Sequence, residues 1–171
     1  TDPKTDYIEG QKFNPEGLIL ELIYNDGAVD YVTYEESNAK DFTFTPSLDD
    51  TIEIGDNTVT IEYGSQTVDL DITVSKKALD SISISKPPDK TAYIEGNKFD
   101  PTGLEITLHY DNGTNEVVKY SDSNKESFIF TPGLNTLLKT TDETVRIEYQ
   151  GAAVNQTITV VPKTLTRIEV E

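Results

Sequence analysis

The sequence predicts an all-β protein made of two tandem Greek-key β-sandwiches. Three observations carry that prediction. Apolar and polar residues alternate through most of the chain, no segment sustains a 3.6-residue apolar period, and the whole pattern repeats at a fixed offset of 86 residues. Tyr7-Ile8-Glu9-Gly10 returns as Tyr93-Ile94-Glu95-Gly96. Phe13, Pro15, Gly17 and Leu18 return as Phe99, Pro101, Gly103 and Leu104. Down this register roughly 36 of 85 pairs are identical, without insertion or deletion, far above chance for a self-match.

The elements of each copy follow in order. Gly10 and Gly17 are explained by turn geometry, and Pro15 by a fixed φ in the connection between them. Leu18, Leu20, Leu22 and Tyr24 then share one face of a strand, Asn25-Asp26-Gly27 turns, and residues 29–34 return. The second copy has Leu104, Ile106, Leu108 and Tyr110, then Asp111-Asn112-Gly113, then residues 117–120. Asp-Gly or Asn-Gly between alternating runs predicts a type I′ hairpin, in which both central residues take φ > 0. Phe42, Phe44, Thr45 and Pro46 mark the next strand and recur as Phe128, Phe130, Thr131 and Pro132. A second hairpin closes each copy: Val59, Ile61 and Tyr63, a Gly64-Ser65 turn, then Val68, Leu70, Ile72 and Val74. Its counterpart runs Val145, Ile147, Tyr149, Gln150-Gly151, Val154, Ile158 and Val160. Gln156 replaces Leu70, so that inward position is expected at the rim or hydrogen-bonded. The predicted core is Tyr7, Phe13, Leu18, Leu20, Leu22, Phe42, Phe44, Val59, Ile61, Tyr63, Val68, Ile72 and their counterparts.

The frame of the repeat predicts the domains. Leu79-Asp-Ser-Ile-Ser-Ile-Ser85 aligns with Leu165-Thr-Arg-Ile-Glu-Val-Glu171, and nothing equivalent stands ahead of the first copy. Residues 1–78 are therefore expected to be a first repeat without its leading strand, and residues 79–164 a complete second repeat. Residues 165–171, Leu165 to Glu171, read as the leading strand of a following one. The chain starts at Thr1 and contains no Met, and reads as a piece of a longer array with at least three copies.

Composition bounds the function. The 171 residues carry 14 Lys and Arg against 31 Asp and Glu, a net charge of −17. Nucleic acid as a partner needs a basic face, and an anionic membrane surface would repel this chain. No apolar run approaches the roughly 20 residues of a membrane span. With no Cys, disulfides and thiolate metal sites are excluded. The acidity is uneven: residues 1–78 hold 5 basic and 17 acidic residues, residues 79–171 hold 9 and 14. One fold with two charges makes acidity a surface property serving solubility.

The string Tyr-Ile-Glu-Gly-x-Lys-Phe-[Asn/Asp]-Pro-x-Gly-Leu at residues 7–18 and 93–104 is the most specific feature. With Lys-Pro-Pro-Asp-Lys-Thr at 86–91, Tyr-x-[Asp/Asn]-Gly after it, the Thr-Val-x-Ile-x-Tyr of 58–63 and 144–149, and Ile-Thr-Val at 72–74 and 158–160, it resembles bacterial immunoglobulin-like repeats of the third group. The resemblance covers nearly the whole chain, twice. It implies tandem immunoglobulin-like sandwiches in a bacterial cell-surface, cell-wall-associated or secreted protein. The function it implies is a non-catalytic extracellular structural or adhesion module that spaces or presents another domain. The alternative is a carbohydrate-binding accessory module of a secreted enzyme. The family supplies no shared catalytic residues, no cofactor is expected, and no enzyme activity is expected.

A few single residues offer candidate chemistry. His109, the one histidine, lies outward on its strand, and its counterpart is Ile23, so a surface role is expected. Asp49, Asp50, Glu53 and Asp56 form the candidate Ca²⁺ set, but their counterparts Asn135, Thr136, Lys139 and Asp142 keep one carboxylate of four. Tyr31, Tyr34 and Tyr120 are the candidate glycan-platform residues, with cross-strand packing as the competing role. The expected partners are neighbouring repeats and a protein or glycan of unspecified identity. A monomer is expected, with strand exchange through residues 165–171 as the route by which copies would join.

Overall fold

The computed structural model describes residues 2–170; Thr1 and Glu171, which the first and last predicted segments include, lie outside the described residues. The chain divides into two compact units, Thr1–Ala78 and Leu79–Glu171. The first contains β1 (Asp6–Ile8), β2 (Ile19–Ile23), β3 (Val29–Thr33), β4 (Phe42–Thr45), β5 (Thr58–Tyr63), β6 (Gln66–Asp71) and β7 (Thr73–Ser75). β2 and β3 form an antiparallel hairpin, β4-β5-β6 an antiparallel sheet, and β1 runs parallel to β7. The second contains β8 (Leu79–Lys86), β9 (Ala92–Ile94), β10 (Glu105–Tyr110), β11 (Asn115–Lys119), β12 (Phe128–Thr131), β13 (Thr144–Tyr149), β14 (Ala152–Thr157) and β15 (Thr159–Val161). It repeats the plan of the first with one addition. β8 lies beside β10, giving a three-stranded β11-β10-β8 sheet where the first unit has two strands.

Each unit closes over its own core. In the second, Ile82, Ile106 and Leu108 of one sheet meet Phe128, Phe130, Val145 and Ile147 of the other. In the first, Tyr7, Phe13, Leu18, Phe42, Phe44, Val59, Ile61 and Ile72 are buried together. Phe13 stands 5.3 Å from Phe44, and Phe99 stands 5.6 Å from Phe130, tilted in both units. Such aromatic pairs add to plain area burial. Gln156 is buried and donates its side-chain N–H to the Thr157 carbonyl at 2.7 Å, the hydrogen bond its inward position calls for.

Three sequence expectations need correction. Val68 is 51% exposed, and Leu20 and Leu22 are half-buried, because among the described residues β2 has no second neighbouring strand to cover that side. The first hairpin is not type I′. Gly27 N–H donates to the Tyr24 carbonyl and Tyr24 N–H to the Ala28 carbonyl, so the loop has three residues and only Gly27 takes a positive φ, +83°. Gly113 repeats this at +83°. Such a loop is a type I turn closed by a glycine bulge. The true I′ signature lies in the other hairpin of the second unit, where Gln150 and Gly151 have φ of 49° and 88°. Finally, Ile52 and Leu138 belong to the core, at 0% and 1% exposure, although both fall in stretches that the two copies share poorly.

Candidate functional site

The repeated Tyr-Ile-Glu-Gly motif is a latch. The Tyr7 hydroxyl donates to the Lys4 carbonyl at 3.0 Å and accepts the Asn14 N–H at 3.2 Å. Tyr93 does the same with Lys90 and Asp100, at 2.8 and 3.2 Å. The Lys4 and Lys90 ammonium groups lie 4.6 and 4.8 Å from the respective ring centroids. Burial pushes both phenols above their ordinary pKa. Gly10 N–H donates to the Ile52 carbonyl and Gly96 N–H to the Leu138 carbonyl. That bond ties the motif to the loop carrying the unexpected core residue. At Gly103, φ is +85°, a left-handed conformation that favours glycine.

The four acidic candidates do not converge. Asp50 accepts the backbone N–H and the hydroxyl of Ser47, Asp56 accepts the Glu53 N–H at 2.8 Å, and Glu53 accepts the Thr51 hydroxyl at 2.6 Å. Asp49 faces Lys12 at 3.7 Å. No group of three or more His, Cys, Asp or Glu side chains among the described residues is placed to hold a metal ion. Asp142 accepts the Lys139 N–H at 2.8 Å just as Asp56 accepts that of Glu53. This turn role is why one carboxylate of the four recurs. Asn38 and Asn124 also recur, and each donates its side-chain N–H back to a strand carbonyl, Thr33 or Lys119, at 2.9 Å. Sequence reasoning missed these two; their identity across the offset was the available signal.

The three tyrosines separate. Tyr34 packs edge-on against Phe42 and Phe44, and Tyr120 likewise against Phe128 and Phe130, at 5.2 to 5.7 Å. Neither therefore offers an open ring face with its partner to form a platform. Tyr31 is 65% exposed on β3 opposite Glu21, with the exposed Ile23–Val29 pair next along the hairpin. The same positions of the second unit carry Val117, Thr107, His109 and Asn115. His109 bridges three strands: its Nδ1 meets the Asn115 side-chain oxygen at 2.7 Å and its Nε2 meets the Ser83 hydroxyl at 2.8 Å.

An apolar groove lies in the first unit. It has a volume of about 350 Å³ and runs between β2 and β6, lined by Leu20, Leu22, Ile61, Tyr63 and Val68 among others. Their counterparts in the second unit are Ile106, Leu108, Ile147, Tyr149 and Val154, and there β8 pairs with β10 and packs against β14.

Comparison with known proteins places this architecture. Residues 1–74 match the family model of the bacterial Ig-like domain (group 3). Over 176 aligned positions the chain is 28% identical to Pectate lyase L of Thermoclostridium stercorarium; the match covers 98% of this chain and 13% of the length of that protein. The solution structure of "a putative surface protein" aligns with 56% of this chain and 100% of its own, at 27% identity and a TM-score of 0.27. That superposition is too loose to bear on the fold.

Proposed function

We propose that this chain, whose residues 1–74 belong to the group 3 bacterial Ig-like domain family, is a non-catalytic spacing and presenting module of a secreted or surface-exposed bacterial protein, and that residues 79–164 are a second repeat of the same kind. The observation that carries this reading is what the two units hold in common. Shared positions are core and turn residues such as Tyr7 and Tyr93, Phe44 and Phe130, or Asp56 and Asp142, whose polar atoms are engaged within the fold. Exposed positions such as Tyr31 and Val117 differ between the copies. A repeat kept for its fold and varied on its surface suits a spacer, as arrays built from one stackable unit do.

A second reading is an accessory module that binds polysaccharide beside a catalytic domain. It is favoured by the match to a segment of a much longer protein named a pectate lyase, and by the exposed Tyr31 ring. Titration calorimetry with polygalacturonate, with and without millimolar Ca²⁺, separates the two. The spacer reading expects no saturable heat. Saturable binding that Tyr31→Ala abolishes would replace it with the accessory reading.

A further inference from the structure

The hairpin of β2 and β3 has one side turned to the core and one side turned out. Leu20, Val32 and Tyr34 pack against the core. Alternation then places Ile19, Glu21, Ile23, Val29, Tyr31 and Thr33 on the outer side. Ile23 stands directly opposite Val29, Tyr31 opposite Glu21, and Ile19 is the next outward residue before Glu21. Ile19, Ile23, Val29 and Tyr31 are 55%, 74%, 48% and 65% exposed. Four large apolar side chains thus adjoin on one water-facing surface. Single exposed apolar residues are ordinary, but a contiguous patch marks an interaction surface. The fold does not require it. At the same places the second unit carries Glu105, His109, Asn115 and Val117. There Glu105 faces Lys119 at 4.0 Å, and His109 is held by Asn115 and Ser83. Val117, in the place of Tyr31, is 61% exposed although β8 lies beside β10. A strand beside the hairpin therefore borders this side without covering it, and the apolar character belongs to the residues themselves.

The surrounding charge selects the occupant. Residues 13–39 contain six Asp or Glu and no Lys or Arg, while the matching residues 99–125 contain five and two. Glu21 lies amid the apolar residues, exposed and without an ion-pair partner among the described residues. Like charge opposes a second copy of this hairpin, an anionic polysaccharide and an anionic membrane on this face. A cationic protein surface is attracted to it. We propose that the outer face of the β2–β3 hairpin docks a basic protein segment that carries apolar side chains among its Lys and Arg residues. The basic groups meet Glu21 and the acidic rim, and the apolar groups cover Ile23, Val29 and Tyr31. Tyr31 is the anchor, because a large ring with few rotatable bonds gives much contact at small entropic cost. This goes beyond a spacing role: the first unit holds a partner that the second, polar and paired within its own face, does not.

The test is fluorescence anisotropy of a labelled synthetic peptide repeating Lys-Leu-Gly, titrated with the 171-residue chain at low and high salt. The expected result is saturable binding that weakens as salt rises. Peptides repeating Glu-Leu-Gly or Lys-Ser-Gly should bind about tenfold more weakly, since one lacks the charge and the other the apolar groups. Ile23→His combined with Val29→Asn gives the first unit the residues that the second already carries on a folded hairpin, so this variant should fold. It, Tyr31→Ala and Glu21→Lys should each lose about tenfold in affinity. Val68→Asn, in the groove between β2 and β6, should leave affinity unchanged and so separates the outer face from the groove. A wild type without saturable binding overturns the inference. So does binding that the Ile23→His, Val29→Asn variant retains. A concentration-dependent dimer that the same variant abolishes would make a second copy the occupant, and also overturns it. The spacing reading does not depend on this outcome, because the polygalacturonate titration tests it separately.

Discussion

Leu22 and Leu108 are the same residue at the same place in the repeat, on strands of the same direction, opposite the same kind of hairpin partner. Leu108 is 1% exposed and Leu22 is only half-buried. Val68 and Val154 differ in the same sense, one exposed and the other half-buried. The flanking residues differ, Glu21 and Ile23 against Thr107 and His109, but the hairpin pairing is the same in both units. What differs is β8, present beside β10 and absent beside β2. Burial of a sheet position is therefore a property of the layer the strand sits in, and a strand's own alternation sets only which face is offered. The unit without the third strand offers an apolar face and an open edge; the unit with it has spent both.

The two units should agree at the centres of their cores. Phe44 and Phe130 occupy matching positions, 6% and 7% exposed, each wedged among a tyrosine and two phenylalanines. Phe44→Ala and Phe130→Ala should each cost about 3–5 kcal/mol. Sandwiches of this size have roughly 5–10 kcal/mol in total, so each variant should unfold or nearly unfold its own unit. Differential scanning calorimetry should show the transition of the altered unit lost or displaced and the other unmoved. Transitions that shift together would mean the units do not fold independently. Next comes the pair that should disagree. Leu108→Ala should cost about 2–5 kcal/mol, as for any sealed core leucine. Leu22→Ala should cost about 1 kcal/mol, because part of its surface is already in water. Equal losses would break the comparison and show that the groove is filled in solution.

Much of this was legible in the sequence. The 86-residue offset and the Leu79-to-Ser85 segment, matched at residues 165–171, could be read from the residues alone. The consequences for Leu20, Leu22 and Val68 were not drawn, because alternation alone cannot say whether a third strand covers the face. Ile52 and Leu138 escaped for a different reason. Each stands in a stretch with no period beside an apolar neighbour that stays exposed, Ile54 or Leu137, and its own backbone carbonyl accepts the N–H of Gly10 or Gly96. The offset aligned the two apolar residues, and that was the signal to use. Asn-Asp-Gly marked a hairpin correctly but not its length. A three-residue loop and a two-residue loop both want glycine at their end, and the difference lies in whether Asp26 takes a positive φ, which it does not. At the candidate sites, counting carboxylates could not distinguish ligands from turn caps, since Asp50 and Asp56 serve backbone N–H groups within three residues.

The smallest expected difference lies in the latch and separates the units by pH. Asn14 accepts the Glu16 N–H at 3.0 Å, and its counterpart Asp100 accepts both the Thr102 N–H at 3.0 Å and the Thr102 hydroxyl at 2.7 Å. The Thr102 hydroxyl, then its N–H, hold the Asp100 carboxyl below its ordinary pKa, against a smaller opposing effect of burial and with help from Lys90. A carboxyl depressed in the folded state contributes stability above its unfolded pKa, near 4, and loses it as pH falls through the lower folded value. The second unit should therefore lose an increment between about pH 5 and 3 that the first, with Asn14, does not. Asp100 is exposed, so solvent screening keeps that increment below about 0.5 kcal/mol. Melting curves over this range for the wild type and Asp100→Asn measure it. The variant should be slightly less stable than the wild type at pH 7 and should converge with it below pH 3. An acid loss of the same size in both proteins would mean that the ionised Asp100–Thr102 contact contributes nothing, and that the two latches are equivalent despite their different residues.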